Sequence, residues 1–241
     1  MKIAVWILFA LLALFPIAMF GQTDISYGAK TGFALSLHYG TKADPQDLKV
    51  KLAMRPGAYA GAWLDLNILP NLALGYELLY AQKGSRIKID IFRMENEFGE
   101  MEELAKPAEM NVKYYMDYIE MPLLFKVKAI DRPKWSMSVI TGTAMGFRIN
   151  GDYELDGIFY LPDGDEFDEV EVTDSNNMEY VNIFDFSFVS GGKLSFHNKI
   201  PLSFEYRITL GWDYLDIPTF EGFDPARLRN QSYHIGFSLP L

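Results

Sequence analysis

A two-residue rhythm of apolar and polar side chains, interrupted by links that alternate strictly between short and long, narrows the possible folds of this chain more than any other feature. The rhythm occupies eight segments, roughly 27–38, 57–68, 71–83, 113–130, 134–149, 180–196, 201–212 and 231–241. None carries a stripe at helical spacing, so strands are expected. Only the charged stretch 95–106 is compatible with a helix. The links 69–70, 131–133 and 197–200 are tight, whereas 39–56, 84–112, 150–179 and 213–230 are long. Such a chain reverses sharply at one end of the array and loosely at the other. That is the pattern of an up-and-down antiparallel sheet with every tight turn on one side.

The faces of the strands say what surrounds them. In the last segment Tyr233, Ile235, Phe237, Leu239 and Leu241 alternate with Ser232, His234, Gly236 and Ser238. In the seventh, Leu202, Phe204, Tyr206, Ile208, Leu210 and Trp212 oppose Ser203, Glu205, Arg207, Thr209 and Gly211. Phe184, Phe186 and Phe188 oppose Asp185 and Ser187, and Leu78 and Tyr80 oppose Glu77 and Lys83. The apolar faces run longer than the strands of a soluble sheet require and match a tilted membrane crossing. Aromatic residues make up 15% of the chain, and Trp212 and Tyr233 are expected at one level as part of an interfacial girdle.

The expected fold is therefore all-β, an eight-stranded antiparallel up-and-down transmembrane β-barrel with long external loops and short periplasmic turns. Its lumen side carries charges of both signs: Lys30, Asp65, Glu77, Glu120, Lys126, Asp185, Glu205 and Arg207. Eight strands leave room for side chains and little more. Unpaired charges there would be costly, so these residues are expected to form a structural ion-pair plug. Pro122 cannot donate to a ladder and implies a bulge or local break, and Gly191-Gly192 implies a kink or bulge.

The N-terminus supports export. Lys2 precedes an unbroken apolar run from Ile3 to Phe15, then Pro16 and a small-residue end at Gly21. This reads as a signal peptide over 1–21, with the barrel domain over 22–241. The formal net charge of −10 argues against nucleic-acid binding. With no cysteine, thiolate metal sites and disulfides are excluded.

Two further clusters invite chemistry. The stretch 150–179 contains eleven acidic residues and no Lys or Arg. Its centre, Asp163, Asp165, Glu166, Asp168 and Glu169, could attract cations weakly, but the spacing does not match a calcium loop. The three histidines, His38, His197 and His234, come without a nucleophile elbow. No enzyme activity, cofactor or metal is expected.

The run Tyr118-Ile119-Glu120-Met121-Pro122-Leu123-Leu124-Phe125-Lys126 and the opening Tyr27-Gly28-Ala29-Lys30-Thr31-Gly32-Phe33-Ala34-Leu35-Ser36 resemble strands of the small PorT-like outer-membrane barrels of Bacteroidetes. The end at Leu241 departs from their usual terminal aromatic. The resemblance implies a porin-family fold in the outer membrane of a Gram-negative bacterium, in contact with lipid and lipopolysaccharide. It leaves the role open. Expected is a plugged structural or partner-binding component, in contact with a protein at loops or turns and linked to protein secretion in some relatives. The alternative is a narrow pore for ions or small solutes.

Overall fold

The computed structural model describes residues 24–40, 48–95, 101–163, 166–177, 183–212, 215–217 and 226–241. The expected leader, 1–21, lies outside them. The strands are β1 (Asp24–Gly40), β2 (Leu48–Leu69), β3 (Leu72–Glu95), β4 (Met101–Asp131), β5 (Trp135–Asp163), β6 (Glu166–Asn177), β7 (Phe184–Phe196), β8 (Leu202–Gly211), β9 (Leu215–Ile217) and β10 (Ala226–Pro240). Among the described residues no helix is long and apolar enough to cross a membrane. Of the stretch allowed a helix, Met101 onward is the start of β4 and 96–100 lies outside the described residues.

Each strand pairs antiparallel with its neighbour in the order β1-β2-β3-β4-β5-β7-β8-β10, and β10 pairs back onto β1. The result is the expected closed, eight-stranded barrel. β6 folds back on β5, and β9 adds a short rung to β10. Three tight turns and the last residues of β10 share one end, as the link lengths require.

The long links differ from expectation. Most of their residues continue the strands past the barrel: β2 from Leu48, β3 to Glu95, β4 from Met101, and the β5–β6 hairpin to Asp163 and Glu166. The expected acidic loop 150–179 is mainly that hairpin. Charged, turn-rich composition suggested loops, but cross-strand pairing between neighbours stabilises these segments as a projecting sheet.

Barrel and projection have opposite patterning. In the barrel, apolar side chains face outward, as with Phe33 (72% exposed), Leu78 (55%) and Phe125 (49%). In the projection, Ile87, Met110, Val112, Tyr114, Met116, Tyr118 and Leu155 form a buried cluster on the inner face. Its outer face carries a ladder of ion pairs: Lys51–Asp90 at 3.2 Å, Lys88–Glu109, and Lys113 with Glu154 at 3.4 Å and Asp156 at 3.1 Å. Tyr153, packed against the inner cluster, donates to Asp174, whose carboxylate holds the phenol above its ordinary range. Lipid satisfies the first pattern and water the second, so the change marks the membrane boundary.

Bulges sit at that boundary. The β2–β3 register shifts between Met54 and Tyr59, and the β4–β5 register shifts between Asp117 and Tyr118. The second shift makes Tyr118 oppose Arg148 and Asp117 oppose Asn150. It reverses the parity of β5, so that Leu155 points inward and Glu154 outward. Near the first, Gly84 adopts φ of 151°, and an added Cβ would stand 2.0 Å from the Tyr114 carbonyl oxygen.

Two smaller expectations divide. The β3–β4 ladder lacks rungs at Met121 and Pro122 while keeping its register, so Pro122 breaks the ladder locally. Gly191 and Gly192 form no bulge, since both their ladders run through without a shift. Gly191 instead allows close strand approach, because a Cβ would stand 2.2 Å from the Tyr206 carbonyl oxygen. Trp212 and Tyr233 are not level either, since Tyr233 opposes Ile208, well below Trp212.

The outward face gives a direct prediction. Leu123→Arg, near the middle of the apolar band, is expected to cost about 2–4 kcal/mol of folding stability in lipid. Asn111→Arg, on the outer face of the projection, is expected to change it by less than about 0.5 kcal/mol. Urea titration of the chain folded into vesicles measures both.

Candidate functional site: a charge network filling the lumen

The parity that points phenylalanine at lipid points charge at the barrel axis. All eight residues expected in the plug are buried inside the lumen, between 2% and 7% exposed. Space for them comes from glycine. Lys30 stands opposite Gly61, Asp65 opposite Gly75, Glu205 opposite Gly236 and Arg207 opposite Gly191. Glu120 and Asp185 flank Gly146 from either side. Directly opposed residues share a face, so each long charged chain leans over a neighbour that has no side chain. A Cβ on Gly75 would stand 2.7 Å from Lys126 Cε and 2.8 Å from Asp65 Oδ1.

The charges form two groups. Nearer the tight turns, Lys126 Nζ reaches Asp65 Oδ1 at 2.6 Å and Glu77 Oε1 at 3.3 Å. Glu77 is the hub. Arg207 donates to both its oxygens, at 2.6 and 2.7 Å, and Lys30 donates at 3.0 Å. Lys30 also reaches Glu205 at 3.0 Å, and Arg207 Nε meets the same carboxylate. Paired forks of this kind give both energy and geometric specificity.

Nearer the projection, Lys83 Nζ lies 2.5 Å from Glu120 Oε1 and 3.1 Å from Asp185 Oδ2, over the ring of Tyr118 at 4.9 Å. Asn230 donates to Asp185 at 3.4 Å. The ion-pair partner of Glu120 is Lys83, from outside the expected eight. That residue had been placed on the polar face but left out of the plug. Lys193 was missed: its Nζ sits 4.8 Å over Trp63, whose other cationic neighbour is Lys126. Both lysines keep the two-residue phase of Glu77 and Asp185, so extending that phase would have found them. Trp63 and Tyr59 are also inward, in the two-residue phase of Asp65 on the same strand.

Between the groups lies a void of about 10 Å³, walled by Glu120, Arg207, Thr209, His234, Tyr59 and Leu79. It would hold one water at most. His234 Nε2, which has no hydrogen-bond partner among the described residues, belongs to this wall.

His38 Nδ1 and Ser85 Oγ are 2.6 Å apart, a contact no sequence spacing suggested. Both are completely buried, and His38 Nε2 has no carboxylate or other hydrogen-bond partner among the described residues. A hydrolytic base needs an orienting group there and substrate access. His197 Nε2 lies 3.1 Å from Ser136 Oγ at the tight-turn end.

The acidic set of the long link is divided between the β5–β6 hairpin and residues outside the described ones. Asp163 and Glu166 end the β5–β6 hairpin, Asp168 and Glu169 follow on β6, and Asp165 lies outside the described residues. Among the described residues no three acidic or histidine side chains are arranged to hold a metal.

Closed topology, outward apolar band and polar lumen agree with sequence comparison. The model of the outer membrane protein beta-barrel domain family matches residues 20–212. The chain belongs to that family. It is an outer-membrane β-barrel protein. No curated protein matches it. Among solved structures it is similar to OprG from Pseudomonas aeruginosa, at 10% identity and TM-score 0.42, covering 92% of this chain and 98% of that one. It is similar to the attachment invasion locus protein Ail of Yersinia pestis, at 11% identity and TM-score 0.36, covering 90% and 99%. The protease OmpT from Escherichia coli aligns at 9% identity and TM-score 0.39, covering 91% and 96%. These likenesses add no information about role.

The hub is testable. Glu77→Gln leaves Lys30, Lys126 and Arg207 short of a shared buried counter-charge and is expected to cost about 3–5 kcal/mol. Asp131→Asn, which removes an exposed partner of Lys128, is expected to cost under about 1 kcal/mol. Denaturant titration in the same vesicles compares them.

Proposed function

We propose that this protein is a non-conducting barrel with a structural or partner-binding role in the outer membrane of a Gram-negative bacterium, exported by a leader over 1–21. The observation that carries this reading is the meshed ion-pair network across the lumen, where charges from β1, β2, β3, β4, β7 and β8 meet. Moving an ion through would require separating pairs already removed from water, at several kcal/mol each. Among the described residues, the void between the two groups measures about 10 Å³. The reading is non-catalytic: among the described residues the Ser85–His38 pair is fully buried and His38 Nε2 has no hydrogen-bond partner.

Lipid covers the apolar band, and lipopolysaccharide lies against the ion-pair ladder of the projection. Kinship to the PorT-like barrels of Bacteroidetes, with a link to protein secretion, rests on the strand motifs around Glu120 and Lys30. A partner protein would meet the projection, the part of the molecule built beyond what crossing the membrane requires.

Planar-bilayer recording on purified protein tests the closed lumen. Wild type is expected to show no steady channels, and Arg207→Gln, which undoes both the Glu77 fork and the Glu205 contact, is expected to add open events or shift the urea midpoint downward. Steady wild-type channels would instead make the protein the narrow pore.

A further inference from the structure

The projecting sheet ends in an edge that nothing described covers. β6 pairs with β5 from Asp152↔Asn177 to Asp163↔Glu166 without a register shift, and among the described residues it has no second neighbour. The side chains from Glu169 to Asn176 are exposed. An edge strand presents unpaired backbone donors and acceptors along its free side. Proteins usually blunt such edges with proline, a bulge or charge; β6 has no proline and no bulge, and its charges are all acidic, which deters acidic strands and admits basic ones.

The side chains restrict what could pair there. On one face Val170 and Val172 are 37% and 40% exposed. On the other stand Glu169 and Glu171, neither in an ion pair among the described residues, continuing the acidic face of Asp156 and Glu154 on β5. Lys113 is already shared by the latter two. A second copy of this chain, with a formal charge of −10, would bring like charge against like. A strand with basic side chains on one face and apolar ones on the other would match both faces.

We propose that the free edge of β6 is a strand-addition site for a basic, extended segment of a partner polypeptide. Backbone hydrogen bonds would hold the segment, Glu169 and Glu171 would select its charge, and Val170 and Val172 would take its apolar side. The inference rests on the partner-binding reading above and specifies its surface.

The test uses the full chain folded in detergent micelles and a fluorescent peptide of alternating Lys and Val, about ten residues long to match a strand. Anisotropy is expected to show saturable binding. A peptide with every Val replaced by Pro keeps the charge but loses N–H donors, and is expected not to bind. The double variant Glu169→Lys, Glu171→Lys changes only exposed side chains and is expected to weaken binding about tenfold. Equal binding of the proline peptide would reduce the effect to charge attraction and overturn strand addition. Absence of saturable binding, or an unaffected double variant, would overturn it too. If the peptide does not bind while wild-type membranes stay silent, the edge inference fails and the closed lumen stands. If channels open while the peptide binds, the reverse holds.

Discussion

The pairing of β10 with β1 is the contact on which the rest of the molecule depends. In lipid no water satisfies a free backbone amide, so a sheet that crosses a membrane must have no edge. The register from Gly28↔Pro240 to Gly40↔Leu228 removes that edge. Closure also fixes the strand number at eight, and the strand number fixes the bore. Everything inside then follows from having a narrow space to fill.

That space is filled with charge where a soluble core would use leucine. Alternation leaves the inner face to whatever lipid does not demand, and here it is occupied by carboxylates, lysines and an arginine seated against glycines. Each charge meets opposite charge locally: Asp65 with Lys126, Glu77 and Glu205 with Lys30 and Arg207, Glu120 and Asp185 with Lys83. Removing one member leaves another stranded, so the network is cooperative. Above the bilayer the same strands invert their patterning, because water now lies outside and the inner face can become an ordinary apolar core.

Much of this was legible in the sequence. Period-2 runs gave the strands, link lengths gave their direction and closure, and parity placed the eight inward charges from Lys30 to Arg207. The partners were less legible, because they depend on register across several strands. Lys83 reaches Glu120 and Asp185 only because β3, β4 and β7 stand at one level around Gly146. The projection was misjudged for a related reason. Residues such as Lys88, Glu109, Glu154 and Asp156 look like solvated loop chemistry, and only cross-strand pairing turns them into a ladder. The bulge near Arg148, which flips β5, leaves no compositional mark. The glycines that seat the charges, Gly61, Gly75, Gly146, Gly191 and Gly236, stand opposite them on neighbouring strands, so their part too depends on register.

Closure is tested most directly by cross-linking the final rung. The chain has no cysteine, so a pair introduced at Thr31 and Phe237, opposed on β1 and β10, is unambiguous. Opposed residues in an antiparallel ladder stand within the Cα separation a disulfide accepts. Mild oxidation of the folded Thr31→Cys, Phe237→Cys protein is expected to give the intramolecular bond in high yield, with the heat-modifiable gel shift retained. Failure of that bond to form, while a control pair at Ala62 and Leu78 on β2 and β3 forms readily, would mean that the sheet is open and that the account is wrong.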